Sequence, residues 1–297
     1  MPTNRSCALV ALLLAVAPDG ALAQDAPPPT ARLVDSTTSM IVAPMRSDGV
    51  PQKTFFTSRD LIATGAAAAV TVGVMQFDKK IARWTQQPNV QGSSSRNHFV
   101  GQITRINETP LTIGAILTYG VGRLTHSQTT ADVGLHWSEA LLLTDVISEA
   151  IRGPVGRTRP RVTPDDPFKF QFGKGFTNFD NRAFPSLHSA VGFATAAALL
   201  GEIRQRHPEA TWYAAPLLYA FALVPGTTRI YLNQHWASDV VAGAFIGQLI
   251  GARVVHYAHT HNPTKLDRVL LATAVSPNGY GGKLIVVSAS QLFGSSR

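Results

Sequence analysis

The sequence predicts an all-α protein built as a six-helix bundle. Six apolar segments with helical spacing alternate with polar loops, and no convincing β-type segment lies between them. A chain of 297 residues with 45% hydrophobic and 15% charged residues can bury a large core, which excludes a disordered or fibrous protein. The predicted helices span residues 61–77, 111–124, 138–151, 186–203, 212–223 and 235–256.

The N-terminal residues have the pattern of an export signal. Arg5 precedes the apolar run 7–18, and the Ala-Leu-Ala sequence of residues 21–23 places small residues on both sides of a cleavage point. We therefore expect residues 1–23 to be a cleaved signal peptide and the mature protein to lie in the periplasm. An N-terminal membrane anchor is the alternative, which the shortness of the apolar run disfavours. Cys7 is the only cysteine, so the mature chain would form no disulfide.

Three regions follow the signal peptide. Residues 24–58 are rich in Pro, Ser, Thr and Ala without a sustained period, which is typical of an irregular lead-in. The predicted helices form one domain over residues 59–265. The C-terminal tail, residues 266–297, has a turn sequence at 276–279 followed by the β-type run 284–287, and this pattern predicts a small hairpin.

The helix predicted at 138–151 illustrates the helical pattern. Leu142 and Val146 recur at four-residue spacing within a broad apolar face, which we expect to pack against other helices. Gly153-Pro154 should end this helix. Several predicted helices approach membrane-spanning length, but internal charges dilute them and the mean hydropathy is only +0.07. We therefore expect a soluble or peripherally membrane-associated bundle rather than an integral one.

The formal net charge of +8 favours an anionic partner, either a charged substrate or an anionic membrane surface. Nucleic acid is a poor match because the Lys and Arg residues are dispersed and form no run of five. We therefore expect no nucleic acid partner.

Three short clusters carry side chains suited to phosphate chemistry. The first contains Arg152 and, after six intervening residues, Arg159-Pro160. Guanidinium groups stay charged and grip phosphate oxygens through paired hydrogen bonds, so two of them can neutralise much of a dianion. Taken alone, a basic helix end explains this cluster more simply.

The second cluster is the Pro-Ser-Leu-His sequence of residues 185–188, at the head of a predicted helix. Ser186 is a good N-cap, and the unpaired N–H groups beside it form an anion site. His188 lies one turn in and can donate a proton near neutral pH. An ordinary helix cap with an incidental histidine explains this cluster equally well when it is taken alone.

The third cluster contains Arg229, His235 and Asp239. His235 and Asp239 are four residues apart at the start of a predicted helix, so the carboxylate can accept a hydrogen bond from one imidazole nitrogen and leave the other free to attack. The same row continues as a glycine at every fourth residue from Gly243 to Gly251, which predicts the close approach of another helix.

Together the three clusters resemble, in order and in most residues, the motifs of the type 2 phosphatidic acid phosphatase and vanadium haloperoxidase superfamily, over about residues 138–256. Three positions depart from the family's usual residues: Arg152 replaces Lys, Leu187 replaces Gly and Thr228 replaces Ser. The resemblance implies a helical phosphatase domain with His235 as the nucleophile, Asp239 as its orienting partner and His188 as the general acid. It also implies a phosphate cradle formed by Arg152, Arg159, Arg229, Ser186 and the backbone N–H of Leu187.

The implied reaction is hydrolysis of a phosphate monoester or diphosphate, of a lipid or a small molecule, through a phosphohistidine and without a metal or other cofactor. Vanadate would be an inhibitor. Two alternatives stay open. One is a vanadium-dependent haloperoxidase with vanadate as its cofactor, disfavoured by the short chain; the other is a lipid head-group transferase, disfavoured by the Arg152–Pro160 cluster that such enzymes generally lack.

Two further groups of residues bear on partners. The loop at 161–184 carries six phenylalanines among Lys and Arg residues, which predicts a cover over the site that meets a lipid tail or membrane surface. Packing of these rings onto the bundle is the equally weighted alternative. His256, His259 and His261 have no acidic or thiol ligand nearby in sequence, so we expect a solvated helix end without a metal.

Overall fold

The computed structural model describes residues 55–105 and 107–260, and all six predicted helices are present in it. Regular structure in this described part of the chain is helical, apart from one isolated antiparallel bridge between Arg157 and Phe170. The predicted signal peptide, most of the predicted lead-in and the predicted C-terminal hairpin lie outside the described residues. In chain order the helices are α1 Ser58–Met75, α2 Asp78–Thr85, α3 Pro88–Gln91, α4 Ser94–Ile103, α5 Glu108–Leu124, α6 Gln128–Val155, α7 Leu187–Arg206, α8 Thr211–Tyr231 and α9 Ala237–Thr260.

Some helix boundaries differ from the prediction. α6 begins at Gln128 and continues through Gly153 and Pro154, which were expected to end it, as far as Val155. It ends there because Gly156 adopts a left-handed conformation with φ of +61°. Helices α2, α3 and α4 were not predicted, because they span only four to ten residues, whereas a helical period is recognised over a window of about eleven or more.

α7 is the central helix and packs against α5, α6, α8 and α9. Its contact with α9 is made by the two backbones. A Cβ atom at Gly247 would lie 2.0 Å from the carbonyl oxygen of Ala190, and one at Gly243 would lie 2.3 Å from that of Ser186. The predicted close approach along the glycine row is therefore confirmed, and it brings the N-terminal ends of α7 and α9 together.

The outer faces of several helices carry exposed apolar side chains. On α6, Leu142 and Val146 are 68% and 57% exposed, so the prediction that this whole face packs inward is wrong. The reason is that α5, α7 and α9 cover only part of the circumference of α6. Apolar surface in such amounts marks an interaction site. The large outward residues of α5 and α8 include Ile113, Ile116, Leu117, Val121, Leu124, Trp212, Leu217 and Phe221.

Among the described residues, α9 is the one helix whose own length and composition would suffice to cross a membrane. Its most apolar window has a mean hydropathy of 1.4, and 56% of that window is buried against other helices. A second span results only if α1 and α2, which meet at a 55° bend, are counted together. Core helices of soluble proteins share these properties.

Candidate active site

Three arginines converge at one end of the bundle. Arg152 lies in the last turn of α6, Arg159 in the loop that follows, and Arg229 in the last turn of α8. Burial, and then three neighbouring guanidinium groups that include Arg152 and Arg229, lower the pKa of Arg159 to about 9. Mutual repulsion of this kind is typical of a site that binds an anion.

Hydrogen bonds hold two of these arginines and leave other donors free. Arg152 donates from Nη1 to Glu149 Oε1 at 2.8 Å and from Nη2 to a main-chain carbonyl at 3.1 Å. Arg159 donates to Gln234 Oε1 at 2.5 Å. The Nε atoms of Arg159 and Arg229 are buried without a hydrogen-bond partner among the described residues. Because an unpaired buried donor is costly, these groups are suited to an anionic ligand.

The N-terminus of α7 supplies uncharged donors at the same place. Ser186 is the N-cap residue, as predicted, but its side chain makes no capping hydrogen bond. Its Oγ atom is buried and has no partner within residues 55–105 and 107–260. Leu187 is the first helical residue, so its N–H group has no partner inside the helix. The hydroxyl and the N–H are therefore available to an anion, which the helix dipole also favours.

His188 lies among the cationic groups. Its Nε2 atom accepts a hydrogen bond from Arg229 and lies 3.3 Å from Glu108 Oε2. Burial, and then the charges of Arg229 and His235 followed by those of Arg152 and Arg159, lower the pKa of His188 to about 2. The free protein therefore holds this imidazole neutral. The structure thus brings together the three arginines and two histidines that we identified as candidate site residues in the sequence.

His235 is 2% exposed and precedes α9, whereas we had placed it at the start of that helix. Its Nδ1 atom lies 2.7 Å from the carbonyl oxygen of Ala183 and 3.7 Å from Asp239 Oδ2. The expected hydrogen bond to Asp239 is therefore replaced by one to the main chain, because His235 lies outside the helical register. Since a carbonyl only accepts, Nδ1 carries the hydrogen and Nε2 keeps its lone pair. Burial lowers the pKa of His235 to about 4.

Arg157 lies at the centre of a buried network that the sequence analysis missed. Its side chain is 0% exposed and donates to Asp239 Oδ1 at 2.5 Å, Ser238 Oγ at 2.7 Å and Asp78 Oδ2 at 2.8 Å. Burial would raise the pKa of Asp239, but Arg157 and other partners outweigh it and the pKa is lowered. Asp239 therefore stays charged and fixes the start of α9, and through it the position of His235.

The sequence pattern did not identify two charged residues that lie at the site, Arg157 and Glu108. Arg157 lies two residues before Arg159, and its spacing does not distinguish a structural arginine from a binding one. Glu108 begins α5, where an acidic residue is common because it favours the helix dipole. Both make their contacts with residues distant in sequence, 79 positions away for Arg157 and Asp78.

The phenylalanine loop, residues 161–184, adjoins the site. The ring of Phe179 lies 4.0 Å from the guanidinium carbon of Arg159, and Phe176 packs against Gly153, where a Cβ atom would lie 2.2 Å from the ring. Four of the six phenylalanines are exposed, Phe172 the most at 83%. These contacts place the loop beside the arginines with four rings reaching solvent, whereas Phe170 and Phe184 are partly buried.

Comparison with known proteins finds relatives for this part of the chain. The model of the PAP2 superfamily matches residues 134–263. The chain is 42% identical over 69 residues to a Lipid A 1-phosphatase of Porphyromonas gingivalis, covering 23% of this chain and 15% of the relative. It is 31% identical over 142 residues to a Lipid A 4'-phosphatase of Bacteroides thetaiotaomicron, covering 42% of this chain and 57% of the relative.

Among solved structures, a transmembrane PAP2 type phosphatidylglycerolphosphate phosphatase from Bacillus subtilis matches with a TM-score of 0.49 and 20% identity, covering 69% of this chain and 96% of that one. The two Lipid A phosphatases are matched over less than two thirds of their own length.

Proposed function

We propose that the protein, whose residues 134–263 match the model of the PAP2 superfamily, is a phosphatase that hydrolyses a phosphate ester or diphosphate of a lipid without a metal. One observation carries the proposal. Three guanidinium groups and two imidazoles interact around the N-terminus of α7, where Ser186 Oγ and two arginine Nε atoms have no partner among the described residues. That donor set is matched to a tetrahedral oxyanion.

In the first proposed step, His235 Nε2 attacks the phosphorus atom in line with the leaving oxygen. The N–P bond forms as the P–O bond to the lipid breaks, and the arginines stabilise the charge on the equatorial oxygens. A bound phosphate dianion reverses the local charge balance and raises the pKa of His188. His188 therefore takes up a proton on substrate binding and donates it to the leaving oxygen.

In the second proposed step, water hydrolyses the phosphohistidine and both histidines return to their starting state. Neutral His188 accepts a proton from water as the water oxygen attacks phosphorus. The N–P bond breaks, inorganic phosphate leaves, the lone pair returns to Nε2 of His235, and His188 releases its proton to solvent. The hydrogen bond from Nδ1 to Ala183 keeps this ring in the reactive tautomer throughout.

A trapping experiment tests the nucleophile. Purified protein is mixed with substrate and quenched in alkaline denaturant, where phosphohistidine survives, and the phosphorylated peptide is located by mass spectrometry. We expect the adduct on His235, and we expect His235→Ala to lose both the adduct and phosphate release. His207→Ala removes a histidine that is 70% exposed and serves as the matched control. Full turnover by His235→Ala would overturn the proposed nucleophile.

Three observations support a lipid substrate. The two curated relatives described above are named as Lipid A phosphatases. The phenylalanine loop places exposed rings beside Arg159, where an acyl chain attached to a bound phosphate would emerge. The outward faces of α5 and α8 are apolar as well. We therefore propose association with a membrane surface, on the periplasmic side if residues 1–23 direct export.

Replacing one exposed phenylalanine of the loop tests whether the protein prefers lipid substrates to soluble ones. Phe172→Ser should lower turnover of a vesicle-bound Lipid A phosphate or phosphatidic acid severalfold, while leaving turnover of a small soluble ester unchanged, because only the lipid reaches the loop. Phe56→Ser serves as the control, since Phe56 is 44% exposed but lies outside both the phenylalanine loop and the outward faces of α5 and α8. Equal losses on both substrates would contradict a lipid-specific role for the loop.

Localisation is tested separately from activity. Cell fractionation should recover the mature chain from the periplasmic side, beginning near Gln24, and the purified protein should sediment with anionic vesicles. Retention of residues 1–23 in the mature protein would contradict cleavage.

A further inference from the structure

A second cluster of polar side chains lies at the end of the bundle away from the phosphate site. His136 belongs to the first half of α6, Glu202 to the last part of α7 and His259 to the end of α9. His136 is 8% exposed and Glu202 is 3% exposed. One ligand atom from each of the three residues can be chosen so that all three atoms lie within 4.8 Å of one another.

We propose that His136, Glu202 and His259 bind one divalent transition-metal ion, with Zn²⁺ as the best match. Imidazole nitrogen and carboxylate oxygen are zinc ligands, and bonds of ~2.0–2.1 Å in a tetrahedron place ligand atoms about 3.3 Å apart. The His259 Nε2 atom lies 3.2 Å from both carboxylate oxygens of Glu202. The His136 Nδ1 atom lies 2.5 Å from Glu202 Oε1, so this pair opens slightly to admit the ion.

The charges around the cluster favour a cation. Glu202 forms an ion pair with Arg206, which also lies 3.4 Å from Asp132 Oδ2. Two carboxylates against one guanidinium leave one negative charge uncompensated when the imidazoles are neutral. Arg206 is more exposed than Glu202 and already has Asp132 as a second partner, so it can yield the Glu202 oxygen to an incoming ion.

The proposed ion lies far from the phosphate chemistry. Sixteen residues of α6 separate His136 from Arg152, and fourteen residues of α7 separate Glu202 from His188, which correspond to about 24 Å and about 21 Å of helix. The ion therefore fastens the ends of α6, α7 and α9 to one another and takes no part in hydrolysis. This proposal is independent of the proposed phosphatase function.

The sequence-based expectation that the C-terminal histidines bind no metal rested on the lack of a nearby acidic ligand. In the folded chain α7 supplies that ligand, from a position 57 residues before His259. His256 is exposed and lies outside the cluster, and His261 lies outside the described residues.

Metal titration of the full chain tests the site. Protein stripped with chelator is titrated with Co²⁺, and we expect the intense visible absorption of tetrahedral Co²⁺ to saturate at one equivalent and to disappear on adding Zn²⁺. Zn²⁺ at ~100 times Kd should raise Tm by about 5–10 °C. Phosphate release should stay within twofold of the metal-free rate, roughly the scatter of such an assay, because the two sites are separate.

Three variants decide between a metal site and a plain ion-pair network. His259→Ala should weaken Co²⁺ binding at least ~10- to 100-fold, whereas the matched control His256→Ala should not change it. Arg206→Gln should tighten binding, because it removes the competing cation. Failure of the intact protein to bind one equivalent of Co²⁺, or equal binding by His259→Ala and wild type, would overturn the proposal even if the phosphohistidine experiment succeeds.

Discussion

The substitution Gly247→Ala tests whether the backbone contact between α7 and α9 sets the geometry of the site. The new Cβ atom would lie 2.0 Å from the carbonyl oxygen of Ala190, whereas ordinary contact begins at 3.4 Å. The helices must therefore separate by about 1.4 Å. Overpacking of this kind costs ~1–3 kcal/mol, and the better helix propensity of alanine returns at most ~1 kcal/mol. We expect a net loss of about 1–2 kcal/mol.

The same displacement acts on catalysis. His188 follows the N-cap of α7 and His235 precedes α9, so separating the two helices moves one histidine away from the other. Misplacement of reacting groups by about 1 Å can cost ~100-fold in rate. We therefore expect kcat/KM to fall by about two orders of magnitude, and Tm to fall by ~2–8 °C.

Thermal denaturation and phosphate release with a soluble ester measure the two effects. Gly65→Ala on α1 is the matched control, because a Cβ atom there would have no neighbour within 4 Å. Its Tm should stay the same or rise slightly, since alanine is the better helix former. Equal Tm and equal kcat/KM for the two variants would refute the inference that this contact determines the distance between the histidines.

Two further predictions follow from the buried charges. Arg157→Met leaves two buried carboxylates without their partner and should lower the free energy of unfolding by ~3–5 kcal/mol, measured by thermal or urea denaturation. Arg161→Met is the control, because it breaks an exposed ion pair worth at most ~1 kcal/mol. Similar losses for the two variants would contradict the buried network. The folded pKa values of His188 and His235, about 2 and about 4, lie below the ordinary 6.5, so unfolding takes up protons and stability should fall as pH drops from about 6.5 to about 4. His188→Gln and His235→Gln should each flatten the plot of Tm against pH over that range, and an unchanged slope would contradict the assignment.

The sequence predicted the features that depend on short spacings. Helices are recognised in a sequence by apolar residues that recur about every four positions. The glycine row from Gly243 to Gly251 indicated the close approach of another helix, which the structure identifies as α7. The candidate site residues were predictable because each cluster keeps its members within about ten positions of one another. Their meeting at one place followed from the resemblance to a known family and agrees with the structure.

Contacts between distant segments could not be predicted in the same way. The exposure of Leu142 depends on which sides of α6 are covered by neighbours, and no periodicity within α6 reports that. The partner of His235 changed from Asp239 to Ala183 because the helix begins two residues later than predicted. Arg157 finds its carboxylates in α2 and α9, so its structural role appears only after the chain has folded.

The hydrogen bond from His235 to the carbonyl of Ala183 has an evolutionary consequence. A codon change cannot remove a peptide carbonyl, so the tautomer of the imidazole that we propose as the nucleophile depends on the path of the main chain and not on any one side chain. In the proposed mechanism the exposed rings of the phenylalanine loop can therefore vary, and the substrate range with them, while His235 keeps its orientation. A library that seeks new lipid specificity should randomise the exposed positions 168, 172, 176 and 179 and leave the residues flanking Ala183 unchanged.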